Sequence, residues 1–140
     1  KERIVKNSLV AGISTTTKIL IDRERTIAFM GDEGRVYGTP SMILDIEYMA
    51  RNWLLEHLDD NEDTVGTHVS IDHMAATVEK DSIEITLTVE EINGRAIKLI
   101  ALVKDSLEDV GKGIHNRFVV DKEKTFERLE AKRHKIEALK

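Results

Sequence analysis

The stretch T-P-S-M-I-L-D-I-E-Y-M-A-R-N-W-L-L-E-H-L, Thr39 to Leu58, decides the fold. Thr39 suits a helix N-cap, and Pro40 suits the first helical position, where its missing N–H is no loss. Ser41 to Leu58 then reads as a helix. At about 100° per residue, Met42, Ile43, Ile46, Met49, Ala50, Trp53 and Leu54 share one broad face. Leu44, Tyr48 and Leu55 add apolar surface on another side, which leaves Asp45, Asn52 and Glu56 as the clear polar strip. A helix this apolar needs other structure wrapped around it.

The rest of the chain supplies the wrapping. Residues 13–21 are β-branched and read as a first strand or arm. T-I-A-F-M, 26–30, is a short apolar segment, and G-D-E-G-R-V-Y-G after it has loop chemistry. Beyond the acidic turn D-D-N-E-D, 59–63, Val65, Thr67, Val69 and Ile71 alternate with Gly66, His68, Ser70 and Asp72. Ile83, Ile85, Leu87 and Val89 follow at period two, then an Asn93-Gly94 type I′ turn, then Ile97, Leu99, Ala101 and Val103. V-G-K-G-I-H-N-R-F-V-V, 110–120, reads as the last strand. Asp121 caps an amphipathic helix, about 121–140, that carries Phe126, Leu129, Ile136 and Leu139. Strands that follow one another without intervening helices argue against a doubly wound parallel sheet. The expected fold is α+β: a curved antiparallel sheet, meander-like in order, around one long central helix. Residues 1–140 make a single domain. An open sheet leaves an edge, and a homodimer that covers it is expected.

Composition sets the outer bounds. With 140 residues, 41% hydrophobic and 34% charged, the chain can bury one real core. It has no cysteine, so disulfides, thiolate catalysis and cysteine zinc sites are excluded. A net charge of −5 argues against general nucleic-acid binding. The basic segment Lys122–Lys140 reads most simply as a solvated helix face that could lie near an anionic ligand. No apolar run is long enough to span a membrane and no signal peptide is visible, so a cytoplasmic protein without a membrane role is expected. The chain begins at Lys1 rather than Met, which leaves room for residues before it.

Three groups of residues could carry chemistry. Glu47 lies at the edge of the apolar stripe. It reads either as a surface acid paired with Arg51 four residues on or as a partly desolvated acid or base. Thr39 is accounted for as an N-cap, yet its hydroxyl and Glu47 stand on one helix some two turns apart and could face one cleft. The N–H groups at that helix start could also hold an oxyanion. His68 and His73 differ by five and so face opposite sides of a regular strand, and His115 stands alone in the last strand. No spacing supports a metal site or a phosphate loop, and no G-x-S-x-G elbow is present. No cofactor is expected.

The blocks Y-G-T-P-S-M-I-L-D-I-E-Y-M-A, V-G-T-H-V-S-I-D-H-M-A-A-T and V-G-K-G-I-H-N-R-F-V-V-D-K-E-K resemble the hotdog-fold thioesterases, within them the fluoroacetyl-CoA thioesterase-like family. The resemblance covers roughly residues 10–133. It implies a hotdog fold that hydrolyses a small or medium acyl-CoA thioester. It also implies catalytic roles for Thr39, Glu47 and His73, with Gly66 and Arg117 beside the substrate. Glu47 would be base or direct nucleophile, His73 would orient water or pass a proton, and Thr39 would position the attacking group. Two places depart from the family. A-A-T runs into V-E-K instead of Pro and Gly, and the loop before the helix has only Phe29 and Tyr37 as aromatics. The acyl group is therefore open. The alternative is a non-catalytic hotdog protein that binds an acyl-CoA-type ligand, which the retention of Thr39, Glu47 and His73 disfavours. A hotdog dehydratase ranks below both.

One conflict remains. Period two sets His73 with Val65 and Ile71 on the inward face, and Gly66 with His68 on the other. Gly66 and His73 then cannot both approach one thioester. Either a bulge near Gly66 breaks the pleat, or the site is split between directions or subunits.

Overall fold

The computed structural model describes residues 6–140; the expected domain also takes in residues 1–5, which lie outside the described residues. The elements run β1 (Ser14–Leu20), β2 (Thr26–Ile27), β3 (Val36–Tyr37), α1 (Thr39–Leu55), β4 (Glu62–His73), β5 (Ser82–Asn93), β6 (Ala96–Lys104), β7 (Asp109–Asp121) and α2 (Lys122–Glu137). Five strands form one antiparallel sheet in the order β1-β5-β6-β7-β4, and β2 pairs with β3 apart from it. The period-two residues do what their spacing requires. Ile83, Ile85, Leu87 and Val89 of β5 and Ile97, Leu99, Ala101 and Val103 of β6 are all buried, and they meet Met42, Ile46, Ala50 and Leu54 of α1 in one core.

The strands depart from a plain meander. Only β5, β6 and β7 follow one another, whereas β4 pairs with β7 at the far edge. The connection after His73 leaves the sheet. It is tied to the approach to α1 by the Val36–Val78 bridge and by the Tyr37 N–H, which donates to the Thr77 carbonyl at 2.8 Å. Lys80 N–H then donates to the Ile21 carbonyl, so the chain re-enters beside β1. The β5–β6 turn also differs from expectation. Asn93 pairs with Ala96, Gly94 has φ of +63°, and Asn93 is not left-handed, so the turn centres on Gly94-Arg95 and is not a type I′ turn on Asn93-Gly94.

Helix α1 is wrapped on one side only. Leu44 and Tyr48 are exposed, while Asp45, expected in the polar strip, is 9% exposed. Arg25 Nε donates to Asp45 Oδ2 at 3.0 Å and the Tyr37 hydroxyl to the same oxygen at 2.7 Å, so the buried carboxylate is fully engaged. Thr39 is not the cap. Gly38, extended at φ −76° and ψ 141°, takes that place, and Thr39 is the first helical residue, which frees its hydroxyl. Helix α2 starts at its N-cap Asp121, whose side chain accepts from Lys124 N–H, and none of its residues is buried. No helix among the described residues is long and apolar enough to cross a membrane.

Candidate active site

The pleat of β4 is broken by a bulge. Gly66 pairs with Arg117 and His68 with Asn116, so Thr67 is the extra residue. Directly paired residues in an antiparallel ladder point to the same face. Arg117 and His115 are buried against α1, hence Gly66 and Val69, opposite them, face inward, and so do Ile71 and His73 further along. Gly66 and His73 thus share one face. Val65, expected inward, points outward and is 43% exposed.

His73 meets the start of α1. Its Nδ1 lies 2.7 Å from Thr39 Oγ1, and its ring meets Tyr37 edge-on with centroids 6.2 Å apart. His73 Nε2 is buried with no hydrogen-bond partner among the described residues. Burial pushes the imidazole below its ordinary pKa, with the Ala75 backbone opposing, so the ring is neutral at neutral pH and can take a proton. Tyr37 is held in turn by Asp45. Burial, foremost, and the hydrogen bond to Asp45 push its phenol pKa well up, so it stays a neutral donor. Ile27, Val36, Tyr37, Thr39, His73 and Met74–Ala76 line an open cavity of about 350 Å³.

Glu47 belongs to a second cluster. Arg117 Nη1 donates to Glu47 Oε2 at 3.1 Å, while Nε and Nη2 donate to Thr64 Oγ1 and Thr64 O, each at 2.8 Å. The Arg117 side chain is 5% exposed and that of Glu47 is 44% exposed, so a buried cation holds a carboxylate that still reaches solvent. Burial lowers the guanidinium pKa and Glu47 opposes the shift. Arg51 does not pair with Glu47; it makes a two-point contact with Asp63 at 2.9 and 2.7 Å. Gly66 is a close approach. A Cβ there would lie 2.9 Å from Glu47 Oε2 and 3.3 Å from Arg117 Nη1. Glu47, Gly66, Thr67, His68, Val69 and His115 line a second open cavity, of about 290 Å³.

The five candidate residues therefore form two groups, Thr39 with His73 and Glu47 with Gly66 and Arg117. Thr39 and Glu47 do not line one cleft of this chain; eight residues of α1, about 12 Å of rise, separate them. His68, exposed and just after the bulge, lines the Glu47 cavity without joining either group. Sequence reasoning left His115 standing alone in the last strand; it is in fact fully buried between Arg117 and the bulge, and period two already set residues 115, 117 and 119 on one face. Among the described residues no three His, Asp or Glu side chains gather as metal ligands would.

Comparison with known proteins bears on the family and the fold. A family model described as "FlK: Fluoroacetyl-CoA-specific thioesterase" matches residues 21–123. The fluoroacetyl-CoA thioesterase of Streptantibioticus cattleyicolor is 22% identical over 127 residues, covering 86% of this chain and 91% of that protein. A solved structure of the fluoroacetyl-CoA thioesterase FlK superposes with a TM-score of 0.80 at 21% identity, covering 89% of this chain and 97% of that one. A thioesterase superfamily member from Thermus thermophilus gives 0.83 at 20% identity over 92% and 96%. A hot-dog-like protein from Thermanaerovibrio acidaminovorans gives 0.81 at 19% identity over 87% and 91%. The fold is the hotdog fold.

Proposed function

The chain belongs to the fluoroacetyl-CoA-specific thioesterase family and is an acyl-CoA thioester hydrolase, and from that premise we propose that its active site is assembled from two half-sites across a pair of β4 strands. The observation that carries the reading is the bulge at Thr67 on a strand whose other edge is open. His73 stands seven residues after Gly66. In a regular strand that odd spacing would put them on opposite faces; the bulge puts both inward. Two β4 strands paired antiparallel about an axis through Ser70, with Thr67 again the extra residue, would set Gly66 opposite the partner subunit's His73, both side-chain positions on the inner face. Each Glu47 half-site would then adjoin a Thr39–His73 half-site about one strand spacing, roughly 5 Å, away.

The chemistry follows from the groups so joined. Glu47 is held at one oxygen by Arg117 and turns the other to the cavity. It takes a proton from the water that adds to the thioester carbonyl, or it attacks directly to give a mixed anhydride that water then hydrolyses. The backbone beside Gly66 is bare of side chain and lets the carbonyl oxygen approach N–H donors. As the C–S bond breaks, the CoA thiolate leaves, and His73, kept neutral and fixed by Thr39, passes it the proton that the attacking water gave up. The apolar wall of Ile27, Val36, Met74, Ala75 and Ala76 suits a small or medium acyl group. The test is release of free CoA thiol from a panel of acyl-CoAs. Glu47→Gln and His73→Ala should each lower kcat/KM by about 100-fold or more. Wild-type rates in both variants would sink the assignment, and saturable acyl-CoA binding without thiol release would favour a binding protein.

A further inference from the structure

His115 forms the floor of the Glu47 cavity without acting there as an acid or base: it is buried on β7 beneath Gly66, its Cε1 3.3 Å from where a Cβ of Gly66 would sit. Its two nitrogens are both engaged. Nε2 lies 3.2 Å from Arg117 Nη1, and Nδ1 lies 2.9 Å from the backbone carbonyl of His68. A guanidinium can only donate, so Nε2 must accept and carries no proton. The proton is therefore on Nδ1 and donates to His68. Arg117 Nη1 has two hydrogens, one for His115 Nε2 and one for Glu47 Oε2. Nε and Nη2 are spent on Thr64. The carbonyl that His115 holds belongs to the residue just after the bulge.

We propose that His115 is a positioning residue for the thioesterase reaction, a neutral imidazole that locks the β4 bulge at one nitrogen and orients Arg117, and through it Glu47, at the other. This rests on the reading of Glu47 and Gly66 as parts of the active site. Only a neutral ring of this one tautomer performs both tasks. The groups facing it are Arg117 on its own strand, Glu47 on α1 and His68 on β4, and burial with Arg117 alongside disfavours the charged ring. Loss of the nitrogens leaves substrate contacts in place but lets the Glu47 carboxylate drift. The loss should therefore fall on kcat and not on KM.

The experiment compares wild type, His115→Phe, His115→Gln and Glu47→Gln with one acyl-CoA at neutral pH, rates being normalised to folded protein. His115→Phe keeps a flat ring and loses both nitrogens. It should lower kcat by about tenfold or more, with KM within about twofold. His115→Gln restores an acceptor for Arg117 and should recover part of that loss. A His115→Phe variant that turns over like wild type, however low its melting temperature, overturns the proposal, and so does a change confined to KM. If the variants do not fold, imidazole 15N spectra of the wild type decide. A proton on Nδ1 with Nε2 bare is required, and a protonated Nε2 at neutral pH overturns the proposal. If Glu47→Gln is as fast as wild type, the reading of the site itself fails; if it is slow while His115→Phe is fast, only the role of His115 fails.

Discussion

Two histidines are held neutral by burial, and their effect on stability has a definite sign. Desolvation pushes both His73 and His115 below the ordinary value of 6.5. The unfolded chain therefore binds protons before the folded one does as pH falls. The stability their neutral forms contribute is whole above about pH 6.5 and is lost as pH drops through that value toward their lower folded pKa values. Melting temperature should fall across this window, and His115→Gln should flatten the fall, as a thermal scan at stepped pH would show. A pH-independent melting temperature from neutrality to about pH 5 would contradict it. At this scale the sequence was informative about residue types and poor about partners. Thr39 as an N-cap was a sound inference from propensity, yet Gly38 took the cap and left the hydroxyl for His73. Asp45 looked solvated because its partners come from segments too short for any periodicity to announce: Arg25 from the turn before β2 and Tyr37 from the two-residue β3.

At the scale of the element, β4 is the informative one. Its parity conflict was visible in the sequence as a glycine and a histidine on opposite faces of a regular strand. The residue that resolves it, Thr67, was not visible, because a bulge is defined by the partner strand and not by its own sequence. Deleting Thr67 gives a direct test. With it gone, Gly66 and His68 become neighbours and the ladder alternates regularly against Arg117 and Asn116. The deletion should therefore fold with little loss of melting temperature, yet lower kcat/KM by about tenfold or more because the wall beside Glu47 is rebuilt. Full activity in a folded deletion variant would show that the bulge is only a packing feature. By contrast, the core faces of β5 and β6 were legible, since Ile83 to Val89 and Ile97 to Val103 alternate without interruption and pair with each other, while the turn that joins them and the bulge at Glu90 were not.

For the whole molecule, the question is whether the site joins two copies of the chain. If each site takes Thr39 and His73 from one subunit and Glu47 from another, two inactive variants can repair one another. His73→Ala and Glu47→Gln, each homogeneous, should show little thiol release. Mixed under conditions that exchange subunits, they should recover activity, because one of the two sites in each mixed dimer keeps every group. No recovery after demonstrated exchange would place the site within one chain. The sequence pointed to an edge in need of cover without saying which strand carries it. The order β1-β5-β6-β7-β4 assigns one edge to β4, a placement fixed by pairing with residues some fifty positions away and so invisible to local pattern.

That distant pairing also governs when the wall proposed for catalysis can exist. While the chain is being made, β4 is finished long before the strand it leans on. Glu62–His73 can find no ladder until Asp109–Asp121 has been synthesised and placed beside β6. Closing so long a loop is slow compared with zipping the β5–β6 hairpin. The proposed half-site of Glu47 and Gly66 is therefore among the last parts to form, and a nascent chain that stops short of Arg117 lacks the cation that holds the Glu47 carboxylate.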